Sequence, residues 1–471
     1  MNKMQFQTYD MLQARALEVP TQVTIKVQGS IVVQDAPIEI QRAMATALTF
    51  QNKAYTQALK YGRYIPRSMP KTLSFWARDP DGTMFLPKGF ITKAKRILEQ
   101  NRIRYHIEDN TLKMPLDKPL DWRITLRGYQ EDAFRELKKY PVGVLRARTG
   151  AGKTITMLRL IQHRNQRTLV IVHNKELMYQ WQKAAFKAYG IQTGLIGDGK
   201  YQVRPITIGI VNSVQKHIQE LKDNFGMVVM DECHRVASTT FTKILPEFRA
   251  RYTNGATATD FRSDGLDEVI FAYLGPLLHV VPDNVLIETG AVLKPEIHRI
   301  KTNFRCPVPE YLTIIQQLSK NEDRNRGIVQ LAKMDLKTND QAILIAVERV
   351  QMGKDLAGML QKDGIQCELL HGSVAGTERE RIVHNLKSGM TRVLIATISL
   401  IGEGFDMPGL GSLLLASPVK FRGRVIQTIG RILRPKEGKV AKVYDLRDDM
   451  VPILQRQGRM RDKTYREQEW L

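Results

Sequence analysis

Short, mostly apolar runs alternate with longer segments of helical period, and this alternation constrains the fold more than any other feature of the chain. From about residue 121, Val142–Leu145, Thr168–Val172, Ile206–Val211 and Met227–Met230 read as buried strands, with Thr154–His163 and Lys175–Tyr189 as helices. A strand covered on both faces has no polar side to show, so runs of this kind belong to a parallel sheet flanked by helices. A second series follows at Ala342–Val347, Cys367–Leu370, Val393–Ala396, Leu413–Ala416 and Val440–Tyr444. Two series predict two α/β lobes, joined near 282–300 around Pro282, Gly290 and Pro295. Residues 1 to about 120 read differently. They hold strand-like Val23–Val27 and Ser30–Val33, helix-like stretches near 38–60 and 90–101, and the turn Asp79-Pro80-Asp81-Gly82. The domains expected are thus a small N-terminal α+β domain at 1–120 and α/β lobes at 121–290 and 291–471.

A length of 471 residues suits two or three domains. With 43% apolar and 25% charged residues, the composition is that of a soluble globular protein. The chain has no apolar run of the roughly 18–20 residues that span a bilayer. Its opening MNKMQFQTYDMLQ has no apolar core of a secretory signal, so a cytoplasmic protein is expected. Cys233, Cys306 and Cys367 lie far apart without metal-ligand spacing, which disfavours a zinc site or a disulfide framework. Lys plus Arg at 71 exceeds Asp plus Glu at 48 by 23, with a pI near 9.8. That surplus favours a polyanionic partner, usually nucleic acid.

Three motifs carry chemistry. In Ala147-Arg148-Thr149-Gly150-Ala151-Gly152-Lys153-Thr154, a strand-like run passes through a glycine-bearing loop into a helix. Thr149, Gly150, Ala151 and Gly152 can wrap backbone N–H groups around phosphate oxygens at the helix N-terminus. Lys153 can reach the β- and γ-phosphates of ATP, and the Thr154 hydroxyl can bind Mg²⁺. Ala147 stands where the generic loop has its first glycine. In Met227–His234, an apolar strand ends in Asp231 and Glu232. Asp231 is placed to hold Mg²⁺ and Glu232 to orient or deprotonate the attacking water. Cys233 beside them reads as a packing residue. In Gln427–Pro435, Arg431 and Arg434 are three apart, on one face of a helix, with the planar donors that suit a γ-phosphate.

In this order, these motifs resemble those of the superfamily 2 helicases over most of 121–445. The resemblance implies two tandem RecA-like lobes that close on Mg²⁺-ATP. Leu126–Gln130 resembles the Q-motif, implying that Arg127 and Gln130 read adenine. Val170–Trp181, which includes Asn174, and Val211–Gln215, with Asn212 and Ser213, resemble motifs Ia and Ib on the nucleic-acid backbone. Asp231–His234 resembles motif II, and Ala256–Asp260 resembles motif III. His234, Thr257 and Thr259 would then relay the ATP state, and Asp260 replaces the usual proline. Ile343–Val350 and Leu369–Ser373, with His371, resemble motifs IV and IVa. Thr397–Asp406 resembles motif V, implying Thr397 on a track phosphate and Gly404 and Asp406 near the nucleotide. Gln427, Gly430, Arg431 and Arg434 match motif VI.

Within the superfamily, the chain looks most like phage helicases of the UvsW type, with RecG- and XPB-like kin. The resemblance rests on the DECH box, Gly82–Phe90 and Gly290–Pro295. It implies branched DNA as substrate, with fork regression, Holliday junction branch migration and D-loop or R-loop unwinding. Single-strand-binding or recombination proteins would be its partners, and the host cytoplasm its location if phage-encoded. An RNA helicase, a motor subunit of a restriction or repair complex, and a nucleic-acid scaffold with a clamp-like or inactive ATPase are the rival readings. No nuclease cluster is visible in the sequence.

Outside the motifs, Arg63, Arg67, Lys71, Arg78 and Lys88 are interleaved with Tyr61, Tyr64, Phe75 and Trp76. The charges are expected on the DNA backbone, whereas the aromatics suit a small core better than base stacking. Lys420, Phe421, Arg422 and Arg424 suit a track contact or a strand-separating element, and a solvated loop equally.

Overall fold

The computed structural model describes residues 22–60, 62, 64–235, 239–258, 267–402, 409–419, 422–430, 432–433 and 439–471. Among these, the main sheets have five, eight and six strands. By packing, the chain divides into two compact units. The first holds the described residues within 1–145, 154–257 and 261–279, and the second those within 146–153, 258–260 and 280–471.

The N-terminal sheet runs in the order Ala77–Arg78, Met84–Pro87, Ser30–Gln34, Val23–Val27, Tyr105–Asp109. Val23–Val27 is antiparallel to Ser30–Gln34 and parallel to Tyr105–Asp109. Val23 and Ile25, two apart, are fully buried, as the two-residue strand period requires of one covered face. The helices Ile38–Ala47 and Ile91–Gln100 contribute Ile40, Met44, Ala94 and Leu98 to that core. The stretch near 38–60 is not one helix. Thr49–Gln51 interrupts it and pairs with Thr72–Ser74 as a separate ribbon. The Asn52 side chain then accepts from the Ala54 and Tyr55 N–H groups, which starts a second helix at Lys53–Lys60.

This module packs backbone to backbone on the rest of its unit. A Cβ on Gly29 would lie 1.9 Å from Pro246 O, and one on Gly89 would lie 2.1 Å from Gly275 N, so only glycine admits the approach. Lys88, expected on DNA, is instead 5% exposed, and its ammonium donates to Ala250 O. Burial lowers its pKa from 10.5 to about 7, with Arg251 adding repulsion. The correction has a simple cause: the carbonyl end of a facing segment supplies the acceptor that lets the ammonium enter the interior.

The eight-stranded sheet runs Lys200–Gln202, Gly194–Gly197, Ile206–Ile210, Thr168–Val172, Met227–Asp231, Tyr252–Thr257, Val142–Arg146, Leu277–Val280. Thr168–Val172, Ile206–Ile210, Met227–Asp231 and Tyr252–Thr257 are parallel to their neighbours in that series. The six-stranded sheet runs Glu296–Lys301, Lys442–Arg447, Leu410–Leu415, Ala342–Val347, Val393–Thr397, Cys367–Leu370, and its pairs are parallel. Wholly buried Ala342–Val347 and Val393–Thr397 occupy its interior.

Buried charge ties helices to this second sheet. Asp445 accepts from Arg461 at 2.9 Å and Tyr465 at 3.0 Å, and Arg447 lies 3.1 Å from it. Arg324 grips Asp448 with two bonds of 2.8 and 3.0 Å. Asp335 accepts from Ser412 and Tyr444, each at 2.9 Å. No helix among the described residues is long and apolar enough to cross a membrane.

Candidate active site

The strand Val142–Arg146 leads through the 147–152 loop into the helix Lys153–Arg164. Gly150 has φ +92 and Gly152 φ +77, conformations that an L side chain adopts at a cost of roughly 1–2 kcal/mol. The turn between them is closed by the Ala151 N–H donating to Arg148 O at 3.0 Å. Ala147 is buried and has no positive φ, so a Cβ is tolerated where the generic loop has glycine. Lys153 and Thr154 open the helix, both half-buried. In the second unit, a Cβ on Gly430 would meet Thr149 at 3.4 Å, so the helix Arg422–Gly430 ends against the loop. The Leu293 N–H donates to Leu433 O at 2.8 Å, which ties the Gly290–Pro295 segment beside that helix end.

One strand separates Met227–Asp231 from Val142–Arg146 in the eight-stranded sheet. Asp231 is 6% exposed at its strand end. Its Oδ2 accepts from the Trp181 indole at 2.8 Å, and its Oδ1 from the Glu232 N–H at 2.9 Å. Glu232 has φ +48, a rare conformation for a residue bearing a Cβ and one typical of functional sites. His234 Nδ1 lies 3.3 Å from the Glu232 carboxylate and 3.2 Å from the Thr257 hydroxyl. One imidazole therefore spans the second motif and the end of the Tyr252–Thr257 strand. Cys233 is fully buried, and a Cβ on Gly255 would meet its sulfur at 2.9 Å.

Gln130 Oε1 accepts from the Arg127 N–H at 3.0 Å, and the Arg127 guanidinium donates to Tyr129 OH at 3.3 Å. Both residues hold the first turn of the helix Gly128–Leu137. Asn174 caps the helix Lys175–Tyr189 by accepting from the Leu177 N–H at 2.9 Å. Asn212 is exposed and Ser213 half-buried in the first turn of Val211–Lys216. His371 is half-buried in a turn whose Val374 N–H donates to its carbonyl at 3.1 Å. Thr397 is buried at the end of its strand, 3.5 Å from the Ser399 hydroxyl. Gln427 lies in the helix Arg422–Gly430. Thr259, Gly404, Asp406, Arg431 and Arg434 lie outside the described residues.

Sequence reasoning missed the grip of Trp181 on Asp231. The two residues are 50 apart in sequence, and only the neighbouring parallel strands Thr168–Val172 and Met227–Asp231 bring the helix after one to the end of the other. It also assigned nothing to Arg148, whose side chain is 3% exposed within the loop.

Two parallel-rich sheets of RecA type define the class of the fold, and comparison with known proteins gives the activity. Residues 123–262 match the family described as Type III restriction enzyme, res subunit, and residues 325–436 match the helicase conserved C-terminal domain. The chain is a superfamily 2 helicase, an ATP-dependent hydrolase acting on nucleic acid. It is 28% identical to the probable helicase D10 of Escherichia phage T5, across 79% of this chain and 82% of that protein. It is 24% identical to the DNA 3'-5' translocase XPB2 of Sulfurisphaera tokodaii, across 70% of this chain and 83% of that protein. Its fold is similar to that of S. cerevisiae Dbp5 bound to RNA and ADP BeF3, with a TM-score of 0.54 and 16% identity, across 70% of this chain and 87% of that one. It is also similar to T4 UvsW, with a TM-score of 0.44 and 18% identity, across 95% of this chain and 97% of that one.

Proposed function

We propose that this helicase is a DNA motor that remodels branched DNA, through fork regression, four-way junction branch migration and D-loop or R-loop unwinding. The observation that carries this reading is the charge of the N-terminal module. Residues 40–78 include seven basic residues and no acidic one, outside every ATPase motif. In that stretch Tyr64 is 86% exposed, whereas Phe75 and Trp76 pack against the core and the Trp76 indole donates to Thr49. A basic surface with one free aromatic ring suits an unpaired base beside phosphates. The named activity of the XPB2 relative favours DNA over RNA. The phage relative favours action in a host cytoplasm, where single-strand-binding or recombination proteins would be the partners.

In this reading, Lys153 binds the β- and γ-phosphates and Glu232 activates water. Arg431 and Arg434 stabilise the transferring phosphoryl group, and Arg127 and Gln130 read the base. Gly404 and Asp406 lie near the nucleotide. His234, Thr257, Thr259 and Gln427 relay its state. Asn174, Asn212, Ser213, His371 and Thr397 face the track. Thr154 and Asp231 would hold Mg²⁺. Their hard oxygen donors fit the ion, which typically takes one or two carboxylates plus phosphates. The ion would supply charge neutralisation at the phosphates.

A combined Tyr64→Ala, Arg67→Gln, Lys71→Gln variant tests the reading. Its affinity for a synthetic fork should fall by about tenfold or more at fixed salt, with a smaller loss on linear duplex. Unchanged fork binding would refute the role of the module. A second reading, a restriction-assembly motor, is favoured by the match at 123–262. It requires ATP turnover driven equally by linear duplex and by junctions.

A further inference from the structure

We propose that Trp470 is a positioning residue for ATP binding, acting through Arg148 of the phosphate loop. Arg148 stands next to Thr149, and its side chain is 3% exposed. Two groups of its own unit hold it. The guanidinium lies over the Trp470 ring, 4.3 Å from the centroid, and its Nη1 lies 3.6 Å from the Asp283 carboxylate. Trp470 is itself 3% exposed and is fixed from behind. Its backbone N–H donates to Tyr465 O at 2.9 Å, and its ring centroid lies 6.1 Å from that of Tyr465. The Tyr465 hydroxyl then donates to Asp445 at 3.0 Å. A continuous series of contacts thus runs from a buried, arginine-paired carboxylate through two aromatic rings to the phosphate loop. A cavity of about 340 Å³ adjoins it, lined by Arg146, Arg148, Asp283 and Glu467 among others.

The physical case rests on what a buried guanidinium does beside a polyphosphate site. A side chain that is free to rotate would follow the phosphates or the carboxylates of the cavity, and its backbone would move with it. Held over an indole, it loses rotational freedom, and the loop that carries it is pre-organised before ATP arrives. A desolvated cation–π contact corresponds to roughly a tenfold change in a binding constant or more. The effect should therefore fall on ATP binding rather than on the chemical step.

The proposal rests on the phosphate-loop assignment, and the test separates the two. Steady-state ATP hydrolysis by the full chain would be measured for Trp470→Ala, Trp470→Phe, Arg148→Gln and the double variant, with thermal unfolding alongside. Trp470→Ala and Arg148→Gln should each raise the KM for ATP by about tenfold with kcat within about twofold. Trp470→Phe should recover most of the loss, and the double variant should be no worse than either single one. Multiplying effects, or an unchanged KM in folded Trp470→Ala, would overturn the proposal. If Trp470→Ala does not fold, indole emission decides. A non-hydrolysable ATP analogue should change it in the wild type and much less in Trp470→Phe, and equal changes would count against the contact. Lys153→Ala is the parallel arm. Normal hydrolysis there removes the phosphate-loop assignment and this proposal with it. Lost hydrolysis with an unaffected Trp470→Ala removes only the role of Trp470.

Discussion

Both larger sheets bury carboxylates in or beside their strands, yet the two sets are treated differently. Asp231, in the first unit, takes neutral donors, the Trp181 indole and the Glu232 N–H. Asp445 and Asp448, in the second, take guanidinium groups from Arg461 and Arg324, with Arg447 also beside Asp445. A carboxylate matched to arginine has its charge compensated and serves as a tie between elements. An indole or amide N–H orients a carboxylate without itself neutralising it. Burial alone therefore does not mark chemistry.

This contrast can be broken by mutation. The largest effect is expected from Lys153→Ala, which should lower kcat by on the order of 10³ with an unchanged thermal midpoint, measured by ATP hydrolysis and calorimetry. Asp445→Ala should do the opposite. It strands buried guanidinium groups and should cost about 3–5 kcal/mol in denaturant unfolding, with turnover per folded molecule preserved. If that variant is as stable as the wild type, the tie is not structural. Trp181→Phe keeps the ring and deletes one donor, so kcat should fall by about tenfold with little loss of stability. A Thr257→Ala substitution removes the hydroxyl beside His234 Nδ1 and should separate the two activities. Strand separation should fall by more than ATP hydrolysis does, and equal losses would speak against a relay through that contact.

The smallest effect concerns pH. Lys88 titrates near 7 when folded against 10.5 as a free side chain. Between those values the unfolded chain holds the extra proton, so this residue makes stability rise with pH and leaves the full penalty in place below about 7. Replacing it with Met should flatten that rise in urea midpoints measured from pH 7 to about 10. An unchanged slope would mean that the ammonium is solvated.

Much of this was legible in the sequence, and the gaps have physical causes. Thr168–Val172 and Ala342–Val347 are strands with the predicted bounds because their runs are uniformly apolar or β-branched, and Cys367–Leu370 keeps its predicted bounds although Glu368 interrupts the apolar run. The strand Tyr252–Thr257 overlaps the Ala256–Asp260 motif only at its last two residues and is not predicted as a strand. Its Asn254 and Gly255 break the apolar pattern, and the buried Asn254 amide nitrogen donates to Gly143 O in another segment. Glu296–Lys301 escaped notice because an edge strand half-exposed to solvent carries charges. The long helix Glu322–Thr338 is polar on most of its surface, and its apolar positions mean little until the sheet beneath is known. The turn at 147–152 was legible because its glycines serve a local backbone need, visible at φ +92 and +77. The Trp181–Asp231 bond and the Arg148–Trp470 contact join residues remote in sequence, which no local pattern encodes.

The central claim, an ATP-driven motor directed to branched DNA, is tested most directly by ATP hydrolysis and strand exchange on a synthetic four-way junction, beside linear duplex, single-stranded DNA and RNA. The account predicts ATP-dependent junction resolution that Lys153→Ala abolishes, with weak action on blunt duplex. Strong hydrolysis with RNA alone, and no processing of the junction, would contradict it.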